Sequence, residues 1–433
     1  MGWEAEMSGW SCRNALVCSG VLGALGLLLL PSLLVSTANG GQLDFDREAR
    51  RCNDAAQPEA SIQACTALIN SGRLSQASAP FAFYRRAIAH ERNGDLDQAI
   101  RDYSEAIRLR PNYHQAFNNR AVAYRRKGDL DQAIRDYSEA IRLDQDSPGP
   151  FYNRGLAYAA KGDHTRAIGD YSEAIRLYPD YAQAFSSRGL AYVRKGDLDQ
   201  AIRDFDEAIR LDREYPEAWN NRGLVYAHRG DLDRAIQHFD QALRLRGRYP
   251  EALTNRGYSY ADKGDYRQAI RDFDEAVRLY PSDHLAWKGR GHVRFYSGEF
   301  SAAVLDFAEA SRLEPMDTYA AFWLQLARLR AGQAAARLKA EAQRLDSDAW
   351  PAPIVRLFVG AATPEQVIAA ARHPDPKQER EQLCQAYFYA GQRALLQGDK
   401  AEAAGRFRAA LGTGARNLVE YTAAKVDLQR VGR

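Results

Sequence analysis

From residue 80 to residue 317 one pattern of apolar and polar positions recurs seven times, every 34 residues. The units begin at Pro80, His114, Pro148, Ala182, Pro216, Pro250 and His284. In each, the fourth position is large and apolar, Phe83, Phe117, Phe151, Phe185, Trp219, Leu253 and Trp287. The eighth is small, Ala87 and Ala121, then glycine in the other five units, and the eleventh is tyrosine from Tyr124 to Tyr260. A large residue with a small one four places on lets two helices approach closely. In the second half of each unit alanine, aromatic and alanine recur at i, i+4 and i+7, as in Ala201, Phe205 and Ala208, which places all three on one helix face.

The punctuation between the halves is equally regular. Gly94, Gly128, Gly162, Gly196, Gly230, Gly264 and Gly298 suit the left-handed residue that ends a helix. The acid after each, aspartate six times and Glu299 once, suits the cap of the next helix. Gln98, Gln132, Gln200 and Gln268 follow such an aspartate by three, as in a capping box. Pro111, Pro179, Pro281 and Pro315 stop the second helix. The length and pattern resemble the tetratricopeptide repeat, a pair of antiparallel helices. That resemblance implies an all-α fold, a solenoid of helical hairpins wound as a right-handed superhelix, with a degenerate helical carboxy-terminal region.

Two further stretches flank the array. Residues 39–79 read as capping helices, in which Cys52 and Cys65 flank a proline-containing turn (CNDAAQPEASIQAC). Either they form a disulfide, worth about 3 kcal/mol for a loop of that size, or they are two buried free thiols. Residues 318–433 carry a decayed pattern: helices over 318–350, a turn and hairpin in WPAPIVRLFVGAATPEQVIAAA, and a polar linker, HPDPKQERE. A last repeat-like pair follows, with Gly391, Gly398, Ala403, Phe407 and Ala410 in register; Cys384 reads as core.

Residues 1–38 are a signal peptide or a membrane anchor. Residues 14–43 carry no charge, Arg13 precedes them, and Ser36-Thr37-Ala38 offers small residues for cleavage. The apolar run from Val17 to Val35 also approaches the ~20 residues that cross a bilayer. Glu4 and Glu6 are foreign to a signal sequence, and a start at Met7 removes both, so the start codon stays open between Met1 and Met7. Under either reading the remainder is exported.

Composition narrows the function. The chain has 433 residues, 45% hydrophobic and 27% charged, with a formal net charge of +3. Its charges are interspersed, which argues against nucleic acid. There is no HExxH, GxSxG or phosphate-binding loop, and His90, His228, His238 and His292 sit at repeat positions, where packing explains them. The cysteine spacing lacks the second pair that a zinc site requires. No catalytic group, metal or cofactor is therefore expected. The pattern points to a non-catalytic scaffold for proteins or extended peptides.

Two polar ladders stand out within the array. Arg86, Arg120, Arg154, Arg188, Arg222, Arg256 and Arg290 recur at the seventh position. Asp102, Asp136, Asp170, Asp204, Asp272 and Asp306 recur sixteen residues later, with His238 the exception. A single catalytic group has no reason to recur seven times, so these are read as structural pairs between facing helices. The second ladder, Asn119, Asn153, Asn221 and Asn255, is interrupted by Ser187. It resembles the asparagine ladder in the peptide-binding superhelix of O-GlcNAc transferases, and either holds a peptide backbone or bonds locally. Tyr84, Tyr152 and Tyr258 offer apolar contacts to the same ligand or to the solenoid itself.

The runs DAWPAPIVRLFVGAATPEQV, FYAGQRALLQGD, AGRFRAAL and NLVEYTAAKVDL resemble the carboxy-terminal half of the bacterial envelope lipoprotein NlpI, over residues 316–433. The resemblance implies an envelope adaptor that brings cell-wall hydrolases to a periplasmic protease of the tail-specific type. That family is lipidated on a cysteine after its leader, where this chain has STANGGQL. The expectation is therefore a periplasmic protein, free or anchored in the inner membrane. The alternative is a structural assembly factor of a secretion or envelope complex. Homodimerisation is left open.

Overall fold

The computed structural model describes residues 39–54, 56–333 and 350–432. The signal peptide or anchor expected over residues 1–38 and the second part of the helical stretch expected over 318–350 lie outside these residues. Twenty-two helices and no strand are found among the described residues. They fall into two compact units, one running to Arg213 and one starting at Glu214.

The first unit opens with a hairpin, Asn39–Cys52 and Pro58–Asn70, joined by the disulfide Cys52–Cys65. Four helix pairs follow, beginning with Ala79–Arg92 and Leu96–Leu109 and ending with Ala182–Arg194 and Leu198–Leu211. The second unit holds three more pairs, Pro216–His228 with Leu232–Leu245, Pro250–Lys263 with Tyr266–Leu279, and His284–Ser297 with Phe300–Leu313. Thr318–Arg330, two short helices (Ala352–Val359 and Pro364–Ala370), a long one (Pro376–Leu396) and the last pair, Lys400–Gly412 and Val419–Val431, complete it.

The small-for-large rule has a direct physical basis. A Cβ placed on Gly223 would lie 2.7 Å from the Phe239 ring, and one on Gly391 2.6 Å from the ring of Phe407. Tyr103, Phe205, Phe239 and Phe407 are fully buried as a result, each contributing about 2–3 kcal/mol of apolar burial. All seven turn glycines have positive φ, from 77° to 86°, where a side chain would be strained.

Three expectations about the ends of helices need correction. The six aspartates cap as expected, Asp95 accepting from the Gln98 backbone N–H and its counterparts likewise. Glu299 makes no side-chain cap, because its extra methylene carries the carboxylate past the orphan N–H groups. The glutamines do not close capping boxes: Gln98, Gln132 and Gln200 instead accept from Arg101, Arg135 and Arg203 one turn on. A full capping box occurs at Thr363–Gln366. Finally, the supposed linker HPDPKQERE starts the 21-residue helix Pro376–Leu396, capped by Asp375 with proline at its first position.

That helix builds the carboxy-terminal core with Trp323, Phe388, Tyr389 and Phe407. The last helix packs back on His284–Ser297: Tyr296 donates to the Val419 carbonyl at 3.1 Å, and Arg430 donates to the carbonyl of Tyr296. Asp427, 1% exposed, accepts from Arg330, Gln392 and Arg430. Glu420 is equally buried and accepts from Tyr389 at 3.1 Å. Burial raises its carboxyl above the usual 4.5, against the bonds from its own backbone and Tyr389. An acid raised in the folded state contributes its full stability below its unfolded value and loses it as pH climbs through the folded one. The stability difference between wild type and Glu420→Gln is therefore expected to move in favour of the glutamine from about pH 4.5 upward. Urea midpoints measured across that range check this; a pH-independent difference refutes it.

Candidate peptide-binding face and the arginine ladder

The seventh-position arginines lie between the two helices of their own unit. Arg86, Arg120, Arg154, Arg188, Arg256 and Arg290 donate through Nε and Nη2 to Asp102, Asp136, Asp170, Asp204, Asp272 and Asp306 at 2.6–3.2 Å. Such forked pairs are stronger and more directional than single contacts. The arginine side chains are 10–21% exposed and the aspartates 1–10%. They are thus more buried than half-exposed surface pairs. Most also lie over the aromatic ring at the fourth position, as Arg290 over Trp287 at 4.6 Å.

The remaining nitrogen of each arginine reaches backwards. Nη1 of Arg120, Arg154 and Arg188 donates to Ser104, Ser138 and Ser172 of the preceding unit at 2.9–3.0 Å. For Arg256 and Arg290 the acceptors are Asp240 and Asp274, both at 2.6 Å. Arg86, with no preceding unit, takes Thr66 of the capping hairpin at 3.1 Å. The same guanidinium therefore joins the helices of a unit and the unit to its neighbour. Within the array this acceptor, also sixteen residues away but upstream, was missed from sequence; its signal was serine or aspartate two places after the ladder position in the first six units, Ser104, Ser138, Ser172, Asp206, Asp240 and Asp274. At Arg222 the ladder acid is replaced by His238: Nη2 lies 3.4 Å from Nδ1 of that ring, and the guanidinium stacks on Trp219 at 4.7 Å.

The asparagines form a second inter-unit chain. Asn119 donates to Tyr84 at 2.9 Å, Asn153 to Asn118 at 3.2 Å and Asn255 to Asn220 at 3.0 Å, each 35 residues back. Asn118 and Asn220 in turn donate to the neighbouring Asn119 and Asn221. Asn118 and Asn220 were not singled out in the sequence, although the pairs Asn118–Asn119 and Asn220–Asn221 display them. Asn221 and Asn255 are only 5% exposed, whereas Asn119 and Asn153 are half-buried. The expected open row of four carboxamides is thus reduced to two. The tyrosines are also engaged in the solenoid: Tyr152 bonds Ser187 at 3.3 Å, and Tyr258 donates to the Leu285 carbonyl at 2.9 Å.

One helical turn after Asn119, Asn153 and Ser187 come Val122, Leu156 and Leu190, on the same helix faces. With Ile88 they make an apolar stripe along the first helices of the amino-terminal unit, half-buried except for Leu190, which is 38% exposed. Carboxamides beside partly exposed aliphatic side chains suit an extended segment, whose backbone is polar and whose alternate side chains are not. His292 offers no such chemistry: it is buried against Phe307 and Trp323, and burial lowers its ring to about 3. Cys384 is a buried thiol, raised to about 12 by desolvation. No helix among the described residues is long and apolar enough to cross a membrane.

A tetratricopeptide-repeat model matches residues 80–113, and the model described as the cilia and flagella-associated protein 70 C-terminal domain matches residues 112–286. No curated protein matches the chain. Among solved structures, the Cut9–Hcn1 hetero-tetramer of APC/C is similar at a TM-score of 0.50 and 17% identity, over 66% of this chain and 55% of that one. A tetratricopeptide repeat protein from Parabacteroides merdae is similar at 0.49 and 21% identity, over 58% and 99%. MamA reaches 28% identity over 37% and 94%, at 0.36. The family models lie within residues 80–286 and do not bear on residues 316–433. The match at 80–113 coincides with the first unit of the period, and the all-α hairpin architecture agrees with it: the chain carries tetratricopeptide repeats and has their helical-hairpin fold, an architecture of scaffolds for protein–protein interaction.

Proposed function

We propose that the protein is a non-catalytic adaptor of the bacterial envelope. On this reading, a client's extended segment lies along the first helices of the amino-terminal unit. The carboxy-terminal helices present that client to a periplasmic protease or cell-wall hydrolase system. The observation that carries the proposal is the pairing of half-buried Asn119 and Asn153 with the stripe Ile88, Val122, Leu156 and Leu190. Export is supported by the leader and by the Cys52–Cys65 bond, since disulfides persist in oxidising compartments. The adaptor role rests on the resemblance of residues 316–433 to the envelope lipoprotein family.

A structural assembly factor is the second reading, favoured by the burial of Asn221 and Asn255, which turns that part of the ladder into packing. Capture of partners from envelope extracts, with the whole chain beside an Asn119→Ala/Asn153→Ala variant of unchanged helical content, separates the two. Loss of cell-wall hydrolases from the variant, with a tail-specific protease retained, is the expected result. An unchanged partner set leaves the assembly factor standing.

A further inference from the structure

We propose that the first-helix face of Ala79–Arg92 and His114–Arg126 selects an acidic extended peptide, with Arg85 and Arg125 as its charge contacts. This rests on the peptide-binding reading above and narrows it to a ligand chemistry.

The recurring arginines of this unit are matched with acceptors in a regular way. The ladder arginines hold aspartates, and Arg108, Arg142, Arg176 and Arg210 hold a glutamate one turn away. Arg85 and Arg125 depart from the pattern. Both are half-buried, and the Nε of each is buried without a hydrogen-bond acceptor. Leaving a buried donor unmet is unfavourable, so a site that keeps two of them awaits a complement. Arg125 lies beside the Tyr137 hydroxyl, on a fully buried ring, and that phenol oxygen is the neutral acceptor nearest its guanidinium. A guanidinium Nε left without an acceptor is matched by a carboxylate.

The face supplies no acid of its own to do this. Its Glu91 is already engaged, accepting from Tyr103 at 3.0 Å and from Arg126 at 3.3 Å. Arg85 stacks on Phe81 at 4.8 Å and lines a small pocket with Cys52, Asp54, Pro58 and Ile88, in which Asp54 is the acid. The flanking groups decide the class of partner. Ile88, Val122 and the carboxamide of Asn119 alternate apolar and polar contacts on the same helices, which suits a peptide. A nucleic acid or lipid surface calls for a run of basic residues without such interruption.

The test is fluorescence anisotropy on the full chain with labelled twelve-residue peptides of alternating Glu and Ser, Gln and Ser, or Lys and Ser. The Glu peptide is expected to bind at least about tenfold more tightly than the Gln peptide, with each of Arg85→Gln and Arg125→Gln removing roughly tenfold. The double variant should bind both peptides alike, and should unfold no more easily than wild type, because it removes unmatched charge. Equal affinity for Glu and Gln peptides, both weakened by Asn119→Ala/Asn153→Ala, overturns the acidic preference and leaves the peptide reading intact. Binding of no peptide overturns both. Arginine-dependent binding of polyuridylate or phosphatidylglycerol vesicles, without binding of the Glu peptide, assigns the patch to a polyanion and overturns the proposal.

Discussion

Replacing Asp306 by alanine is expected to destabilise the carboxy-terminal unit by about 3–5 kcal/mol, more than any other change in the ladder. Asp306 is fully buried and serves two guanidiniums at once, Arg290 through Nε and Nη2 and Arg294 through Nη1 at 2.8 Å. Alanine leaves both charges facing a space from which water is excluded, with Asp274 as their remaining acid, 2.6 Å from Arg290 but 3.9 Å from Arg294. The same change at Asp170 should be milder, because Arg154 is more exposed and keeps Ser138. Asparagine at 306 keeps one acceptor oxygen and the shape of the site, and should fall between wild type and alanine. The measurement is favoured by the distribution of tryptophan: among the described residues, Trp219, Trp287, Trp323 and Trp350 all belong to the carboxy-terminal unit. Their fluorescence therefore reports its unfolding in urea, over a background from Trp3 and Trp10 of residues 1–38. Equal midpoints for Asp306→Ala and wild type would show that the pairs fix register without stabilising.

Opening the Cys52–Cys65 bond is expected to lower the stability of the amino-terminal hairpin by about 3 kcal/mol, whether by reductant or by Cys52→Ala/Cys65→Ala. The bond closes a stretch of 13 residues between two buried positions. It is reinforced by Ser61, whose hydroxyl donates to the Cys52 carbonyl at 2.8 Å. The loss should spread into Ala79–Arg92, which packs on that hairpin and takes Thr66 from it through Arg86. Amide hydrogen exchange reads this directly: protection should fall over residues 45–92 and hold over Ala182–Leu211. Uniform loss across the unit would instead mean that the repeats melt together; unchanged exchange would show the hairpin needs no staple.

The 34-residue period, the glycine–aromatic contacts and the arginine–aspartate spacing are local or strictly periodic, and these features could be read from the chain before its fold was known. What escaped was set by distant partners. HPDPKQERE looks like a linker by polarity, yet it initiates a helix whose Glu381, Gln385 and Gln392 are buried against Asn417, Trp350 and Asp427, 35 or 36 residues away. Such burial is invisible to any window of a few turns. The asparagine ladder, open in sequence between a peptide site and local bonding, divides for a similar reason: four residues in one register have two different exposures, because their neighbours differ from unit to unit. Arg85 stands one period before Asn119 and Arg125 has no arginine in register with it, and both became informative only once the matched arginines around them were seen.

The backward reach of the arginine ladder gives the array a polarity in time. From Arg86 to Arg188, and again at Arg256 and Arg290, each guanidinium finds one acceptor in its own unit and one already laid down before it. A chain emerging amino end first from the ribosome thus presents every new hairpin with a finished docking edge, begun by Thr66 of the stapled cap. Growth from the other end would add each hairpin to an arginine still lacking its second acceptor.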